Sequence, residues 1–443
     1  MHSKFIKTIN KIDTKNIWVI AIPFILGTLW DPIINLIDTS VAGHMESAEF
    51  LASLTYGNNV VHIFYWVFGS VGMAITGFTS QKSGQKDESK IFKILVTSIS
   101  FMSIISIFLY IFQFQLWNVF SSIFNQSQSI ETLTKDFFFI RIIGVAPQLI
   151  IMSTTSWFLG IKKPNIIFKT WTLMGITHIL LLIVFTNYYN MKLNGIAYAV
   201  VISQWITLVY VFIETILILK KLNINIIYKF LPKEDITLLL KSFFDLFIRT
   251  LLLQSIYLVG TYYSSNLGVT TLASYGIFLQ LSSVSYMVID GPTLGSAPLM
   301  GESYGAKKIN QFKSIYNNAL FSGILTAALF TLIYIVFGKN LINIITDIET
   351  VRLESFKYIY LVSIIPIASV LSFQLDGAFS GMLKTKEMRN TMIFASLIYF
   401  ISIFTLTKII GNYGVWVSYI IFALSRGLSL NYYMKQIINK LSN

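Results

Sequence analysis

The sequence predicts an all-α membrane protein, with twelve transmembrane helices in two six-helix, pseudo-symmetric lobes around a central cleft. Three observations carry that expectation. Twelve apolar stretches are long enough to cross a bilayer, the second half of the chain repeats landmarks of the first, and basic residues collect in alternate connections. Composition sets the solvent: of 443 residues, 55% are hydrophobic and 12% charged, with a mean hydropathy of +0.68. A soluble domain carries about 25% charge, so this chain cannot cover itself with a water-compatible surface.

In chain order, spans of about 20 apolar residues or more fall at 17–43, 52–80, 91–112, 137–160, 164–187 and 194–219. In the second half they fall at 242–266, 273–299, 314–337, 357–383, 391–410 and 413–434. Helix is the required form, because lipid leaves an unpaired backbone group unsatisfied. The segments between spans are short and hold turn-formers and charges. Residues 221–241, containing Leu231-Pro232-Lys233-Glu234, form the longest basic linker and divide an N-lobe (1–220) from a C-lobe (242–443).

The repeat has an offset of 221 residues, half the chain. Leu51-Ala52-Ser53 returns as Leu272-Ala273-Ser274, Tyr65 as Tyr286, Gly84 as Gly305, Lys86 as Lys307 and Gly160 as Gly381. Near the ends the register slips by two, laying Gly195-Ile196-Ala197 over Gly414-Val415-Trp416. Such duplication in an apolar chain is the plan of a two-repeat transporter.

Charge gives the orientation. The N-terminal arm (Lys4, Lys7, Lys11, Lys15), the even-numbered connections at 82–93, 162–169, 220–241, 307–313 and 384–389, and the tail (Lys435, Lys440) hold 24 of the 33 Lys and Arg. The opposite side has six: Lys135, Lys192, Lys339, Arg352, Lys357 and Lys408. Arg141, Arg249 and Arg426 lie in or at the ends of spans. By the positive-inside rule both termini are cytoplasmic. Basic charge spread over loops faces anionic lipid and excludes a nucleic-acid partner. Helix 1 lacks a following small-residue cleavage site, so it reads as a retained span rather than a signal peptide. There is no Cys and there are four His (2, 44, 62 and 178), which excludes a disulfide framework and leaves little for a metal cluster.

Ionisable groups within apolar spans cost roughly 2.5–3.5 kcal/mol on insertion scales and need a reason. Asp38 lies in helix 1, with Asp31 two turns before it on the same face and Asn35 between. Together with His178 in helix 5 they are candidates for coupling a cation. A carboxylate in a partly dry cleft can exchange H⁺ or hold Na⁺ with Asn and backbone oxygens, and spacing does not separate the two. Asp290 (helix 8) and Asp376 (helix 10), each before Gly, and Gln204 and Gln280 are candidates for a substrate cavity or for structural hydrogen bonds. Pro23 and Pro32 interrupt the hydrogen-bond ladder of helix 1 and allow it to bend near its acids. No Ser/His/Asp constellation, metal-ligand motif or phosphate-cradling loop argues for an enzyme.

Across nearly the whole chain these residues resemble the multidrug and toxic compound extrusion (MATE) transporters, in their DNA-damage-inducible protein F (DinF-type) branch. The resemblance rests on Pro23 with Ile37-Asp38-Thr39-x-x-x-Gly43-His44, Thr76-Gly77-x-x-x-Gln81, and Trp157-x-Leu159-Gly160. In the second half it rests on Phe247-Ile248-Arg249-Thr250-Leu251, Tyr286-x-x-x-Asp290-Gly291, and Gly301-Glu302-x-Tyr304-Gly305-Ala306-Lys307. Leu375-Asp376-Gly377-x-Phe379-x-Gly381 with Thr385-Lys386-Glu387-Met388-Arg389-Asn390 is the most specific string.

The resemblance implies a two-lobe antiporter without a cofactor, exporting organic cations or related amphiphiles against H⁺ or Na⁺, with Asp38 at the coupling site. A monomer is expected, with the lipid bilayer and a small-molecule substrate as partners. The chain departs from the family pattern at six positions. Gly175, His178 and Leu182 stand where the family has Asn, Asn and Asp in helix 5, Gly72 replaces an Arg, Ala297 replaces an acid, and Asp31 replaces a small hydroxyl residue. The carboxylate pair is therefore expected to have moved into helix 1, as Asp31 and Asp38. A lipid-intermediate or oligosaccharide flippase is the alternative, although such proteins carry more cavity-lining Arg.

Overall fold

The computed structural model describes residues 11–124, 127–221 and 230–442. Lys4, Lys7 and Lys229, with residues 222–229 of the expected linker, lie outside them. Ten of the described helices are long and apolar enough to span a membrane, and an eleventh span is the pair Glu349–Ser363 and Ile365–Gly381, bent by 44°. The remaining expected helix is present as Lys233–Asn266, 34 residues long. Asp245 and Arg249, both buried, sit within it.

The first compact unit is Pro23–Leu239. It contains the end of α1 (Lys11–Thr28), then α2 (Trp30–Gly43), α3 (Ala48–Gly69), α4 (Gly72–Gly84), α5 (Glu88–Ile111) and α6 (Gln113–Phe124). These are followed by α7 (Gln128–Arg141), α8 (Val145–Gly160), α9 (Pro164–Ile183) and α10 (Lys192–Lys221). The second unit joins the segment ending at Ile22 to the chain from Leu240 onward. It holds α11 (Lys233–Asn266), α12 (Val269–Gly305), α13 (Ile309–Ile345), α14 (Glu349–Ser363), α15 (Ile365–Gly381), α16 (Thr385–Ile410) and α17 (Asn412–Ser442). Exposed apolar side chains such as Leu36, Ile104, Val209, Leu258 and Ile401 cover the outer surfaces. In a soluble protein such patches would be a liability; in a bilayer they are the solvent-compatible face.

Local sequence sets the helix ends. Ser47 caps α3 by accepting from the Glu49 N–H (3.1 Å), Asp87 caps α5 by accepting from the Lys90 N–H (3.0 Å), and Pro164 starts α9, where no N–H is needed. One C-terminal turn occurs four times. In each, a residue at positive φ follows the helix: Lys86 (57°), Lys162 (59°), Lys307 (58°) and Leu383 (56°). In each, the next N–H also reaches back five residues: Asp87 to Lys82, Lys163 to Phe158, Lys308 to Ser303 and Lys384 to Phe379. This is the Schellman closure, and its members pair at the 221-residue offset.

Close helix contacts repeat at the same offset. A Cβ on Gly160 would lie 3.0 Å from the Thr76 carbonyl oxygen, and one on Gly381 would lie 2.5 Å from that of Ala297. The α4–α8 and α12–α15 crossings thus use one device at matching positions. So do the breaks: the 3-10 turn Ile142–Gly144 separates α7 from α8, and Ile364 separates α14 from α15.

Candidate functional site

The first helix is helical on both sides of Leu29 and interrupted there. Pro32, three residues on, explains the place: it has no N–H for the Thr28 carbonyl, and its ring crowds that carbonyl. The helix runs unbroken through Pro23. Below the break, Trp30 lies against α9. Its Nε1 donates to Thr172 Oγ1 (3.1 Å), and Gly175 provides the space, since a Cβ there would come 2.2 Å from Trp30 Cε3. One turn further along α9 is His178.

Asp38 and His178 meet. His178 Nε2 and Asp38 Oδ1 are 2.8 Å apart, the separation of a charge-assisted N–H donated to a carboxylate. Both residues are buried, at 3% and 1% exposure. Leu182, one turn beyond His178, is 1% exposed in an apolar cluster with Ala42, Leu54 and Phe137. The imidazole is therefore the polar partner that α9 offers to this carboxylate. His178 Nδ1 is buried without a hydrogen-bond partner. Asp31 and Asn35 share α2 with Asp38 but are exposed.

A second polar group in this unit is centred on Gln204 of α10. Its Nε2 donates to Gln148 Oε1 (3.1 Å) and to the Tyr65 hydroxyl (3.3 Å). Gly144 lets this amide approach, since a Cβ there would be 2.2 Å from Gln204 Oε1. Gly72 is filled in the same way: a Cβ would meet Ser156 Oγ at 2.3 Å.

In the second unit Asp376 is held twice. Arg249 Nη2 donates to its Oδ2 at 2.6 Å, and Arg426 Nη2 donates to the same oxygen. All three residues are buried. Asp290, half-buried on α12, interacts electrostatically with Asp376, Arg249 and Arg426, giving two acids and two bases in one region. Beside them the Tyr286 hydroxyl donates to Tyr419 (3.1 Å), and the Tyr257 and Tyr419 hydroxyls are 3.3 Å apart. Gln280 is exposed on α12, whereas Gln374 is buried and donates to the Ile289 carbonyl (3.0 Å).

Sequence reasoning did not single out Arg426, Gln148 or the tyrosine trio as site residues. The available signal for Arg426 was a permanent cation within an apolar span, which demands an anion.

The MatE family model matches residues 23–185 and 246–405. DNA damage-inducible protein F of Escherichia coli is 25% identical over 430 residues, covering 94% of this chain and 91% of that protein. Among solved structures, a MATE protein in complex with MaD3S superimposes with a TM-score of 0.89 at 14% identity, covering 97% of both chains. The outward-facing form of a multidrug resistance MATE family transporter gives 0.88 at 15% identity over the same shares. The match to the family model across both halves, on a fold shared from end to end, makes this chain a member of the MatE family and a multi-pass membrane transporter of the multidrug-efflux type.

Proposed function

We propose that this transporter is a secondary active antiporter that exports organic cations or amphiphilic drugs by alternating access in exchange for protons, with Asp38 and His178 as the coupling pair. One observation carries the reading: a buried carboxylate and imidazole 2.8 Å apart, with Leu182 in the apolar cluster where the family's second acid would stand. Na⁺ would need several oxygen ligands, yet one Asp38 oxygen is already engaged by a ring nitrogen. Among the described residues no group of three or more His, Asp and Glu is placed to hold a metal ion. The arrangement favours H⁺.

With one proton the pair is neutral overall. A second proton neutralises Asp38 and leaves the imidazolium unpaired, which removes the attraction between α2 and α9; its loss restores the bond. The free Nδ1 leaves the ring untethered on its other side. Asp31, exposed on the same helix, is a carboxylate suited to receive the proton before Asp38 does, and Asn35 between them can orient it by hydrogen bonding. Asp290, close enough to Tyr257 to interact electrostatically, offers a carboxylate beside aromatic faces to a cationic headgroup. The loop charges support cytoplasmic termini, and the Escherichia coli relative supports a bacterial inner membrane.

The test is efflux of a fluorescent organic cation from proteoliposomes, with H⁺ and Na⁺ gradients imposed separately. The H⁺ gradient should drive efflux and the Na⁺ gradient should not, and Asp38→Asn should abolish the driven component at normal expression. Transport driven by Na⁺ alone, or unchanged transport by Asp38→Asn, would overturn the assignment.

A further inference from the structure

The chain has five arginines, and four of them meet an aspartate. Arg249 and Arg426 share Asp376, Arg389 pairs with Asp245 (2.6 Å), and Arg352 with Asp347 (2.7 Å). Arg141 is the exception. It is the last residue of α7, 4% exposed, within a stretch that spans the membrane. Among the described residues no carboxylate lies within ion-pair distance of it, and its buried Nε has no hydrogen-bond partner.

Its surroundings are the face of the Phe137 ring, whose centroid is 5.8 Å from the guanidinium carbon, and His62 of α3, with which it interacts electrostatically. Neither can neutralise it. On the same face of α7, two turns away, Thr134 Oγ1 is also buried and unpartnered. A guanidinium does not shed its proton to escape burial, and its donors match the two oxygens of a carboxylate or phosphate. A permanent cation kept in this position without an anion is a cost that a bound anion would remove.

We infer that Arg141, with His62 beside it, is the receiving site for an oxyanion headgroup, a phosphate or carboxylate, on an amphiphilic ligand. The site does not depend on which ion drives transport. It widens the ligand class beyond cations to amphiphiles carrying a negative group.

The experiment uses the purified full-length protein in a non-ionic detergent and measures binding of dodecyl phosphate, with dodecyltrimethylammonium as the cationic counterpart. Charge-assisted hydrogen bonds of this kind are worth about ten- to a hundredfold in affinity. Arg141→Gln should therefore weaken dodecyl phosphate by that factor and leave dodecyltrimethylammonium unchanged. In the absence of ligand Arg141→Gln should melt no lower than the parent, since it removes an unpaired buried charge. Dodecyl phosphate Kd values within twofold of each other overturn the site. If Arg141→Gln is not recovered from the membrane, Arg141→Lys replaces it: the point charge remains and the fork is lost, so binding several-fold weaker is expected, and unchanged binding overturns the site.

Organic phosphorus in the purified proteins distinguishes the sources. An excess of about one phosphate per chain in the parent over Arg141→Gln identifies a bilayer phospholipid. Equal phosphorus together with the dodecyl phosphate difference identifies a ligand taken from solution.

Discussion

The Asp38–His178 pair of the first unit and the Arg249–Asp376–Arg426 group of the second each set a buried aspartate against basic side chains, yet they behave oppositely as chemistry. The first joins a carboxylate and an imidazole, two groups that can each bind and release a proton. The second fixes one carboxylate between two guanidiniums that stay charged at any physiological pH. A pair of the first kind can change its net charge. A group of the second kind can only be broken as a whole. Scaffold repetition therefore does not carry function: the turns and glycine contacts recur at the 221-residue offset, while the charges do not.

The sharpest way to break this comparison is to remove the shared carboxylate. Asp376→Asn should strand two buried guanidiniums and destabilise the second unit by about 3–5 kcal/mol, read as loss of monodisperse protein or a large fall in melting temperature. Asp38→Asn should melt close to the parent while losing driven efflux. If both variants melt alike, the contrast between a proton-exchanging pair and a structural clamp is wrong.

A smaller effect tests the symmetry of the scaffold. Gly160→Ala and Gly381→Ala each push a Cβ against the backbone of the neighbouring helix, and each should cost about 1–3 kcal/mol in thermal unfolding. Similar penalties support matched crossings; a penalty in one half alone argues that one of the units relaxes.

The smallest expected effect has the opposite sign. Lys162→Gly and Leu383→Gly relieve an L-residue held at positive φ and should stabilise by about 1 kcal/mol each, visible as a small rise in melting temperature.

The helical spans were legible because a bilayer demands long apolar runs, and the repeat because glycines and loop residues mark fixed geometry. The meeting of Asp38 with His178 was partly legible, since both lie in apolar spans and the family places a partner for Asp38 on helix 5. The expected pairing of Asp38 with Asp31 was not supported by contact. Seven residues fix a common direction on one helix, but not which neighbour covers each position, and α9 covers Asp38 while Asp31 stays exposed. The shared clamp on Asp376 was illegible for a similar reason. Arg249, Asp376 and Arg426 come from three helices far apart in sequence, and hydrophobic periodicity says nothing about which helices become neighbours.

The breaks at Ile142–Gly144 and at Ile364 act as joints, because backbone outside the regular ladder bends at lower cost than the helix on either side. Both units own such a joint at the equivalent place, so the capacity to flex is inherited in duplicate. Only one of them has a charged handle, Arg141 at the end of α7; the residue 221 positions later is Val362. A force applied through an ionic ligand would therefore be felt as torque on one joint and not on its twin.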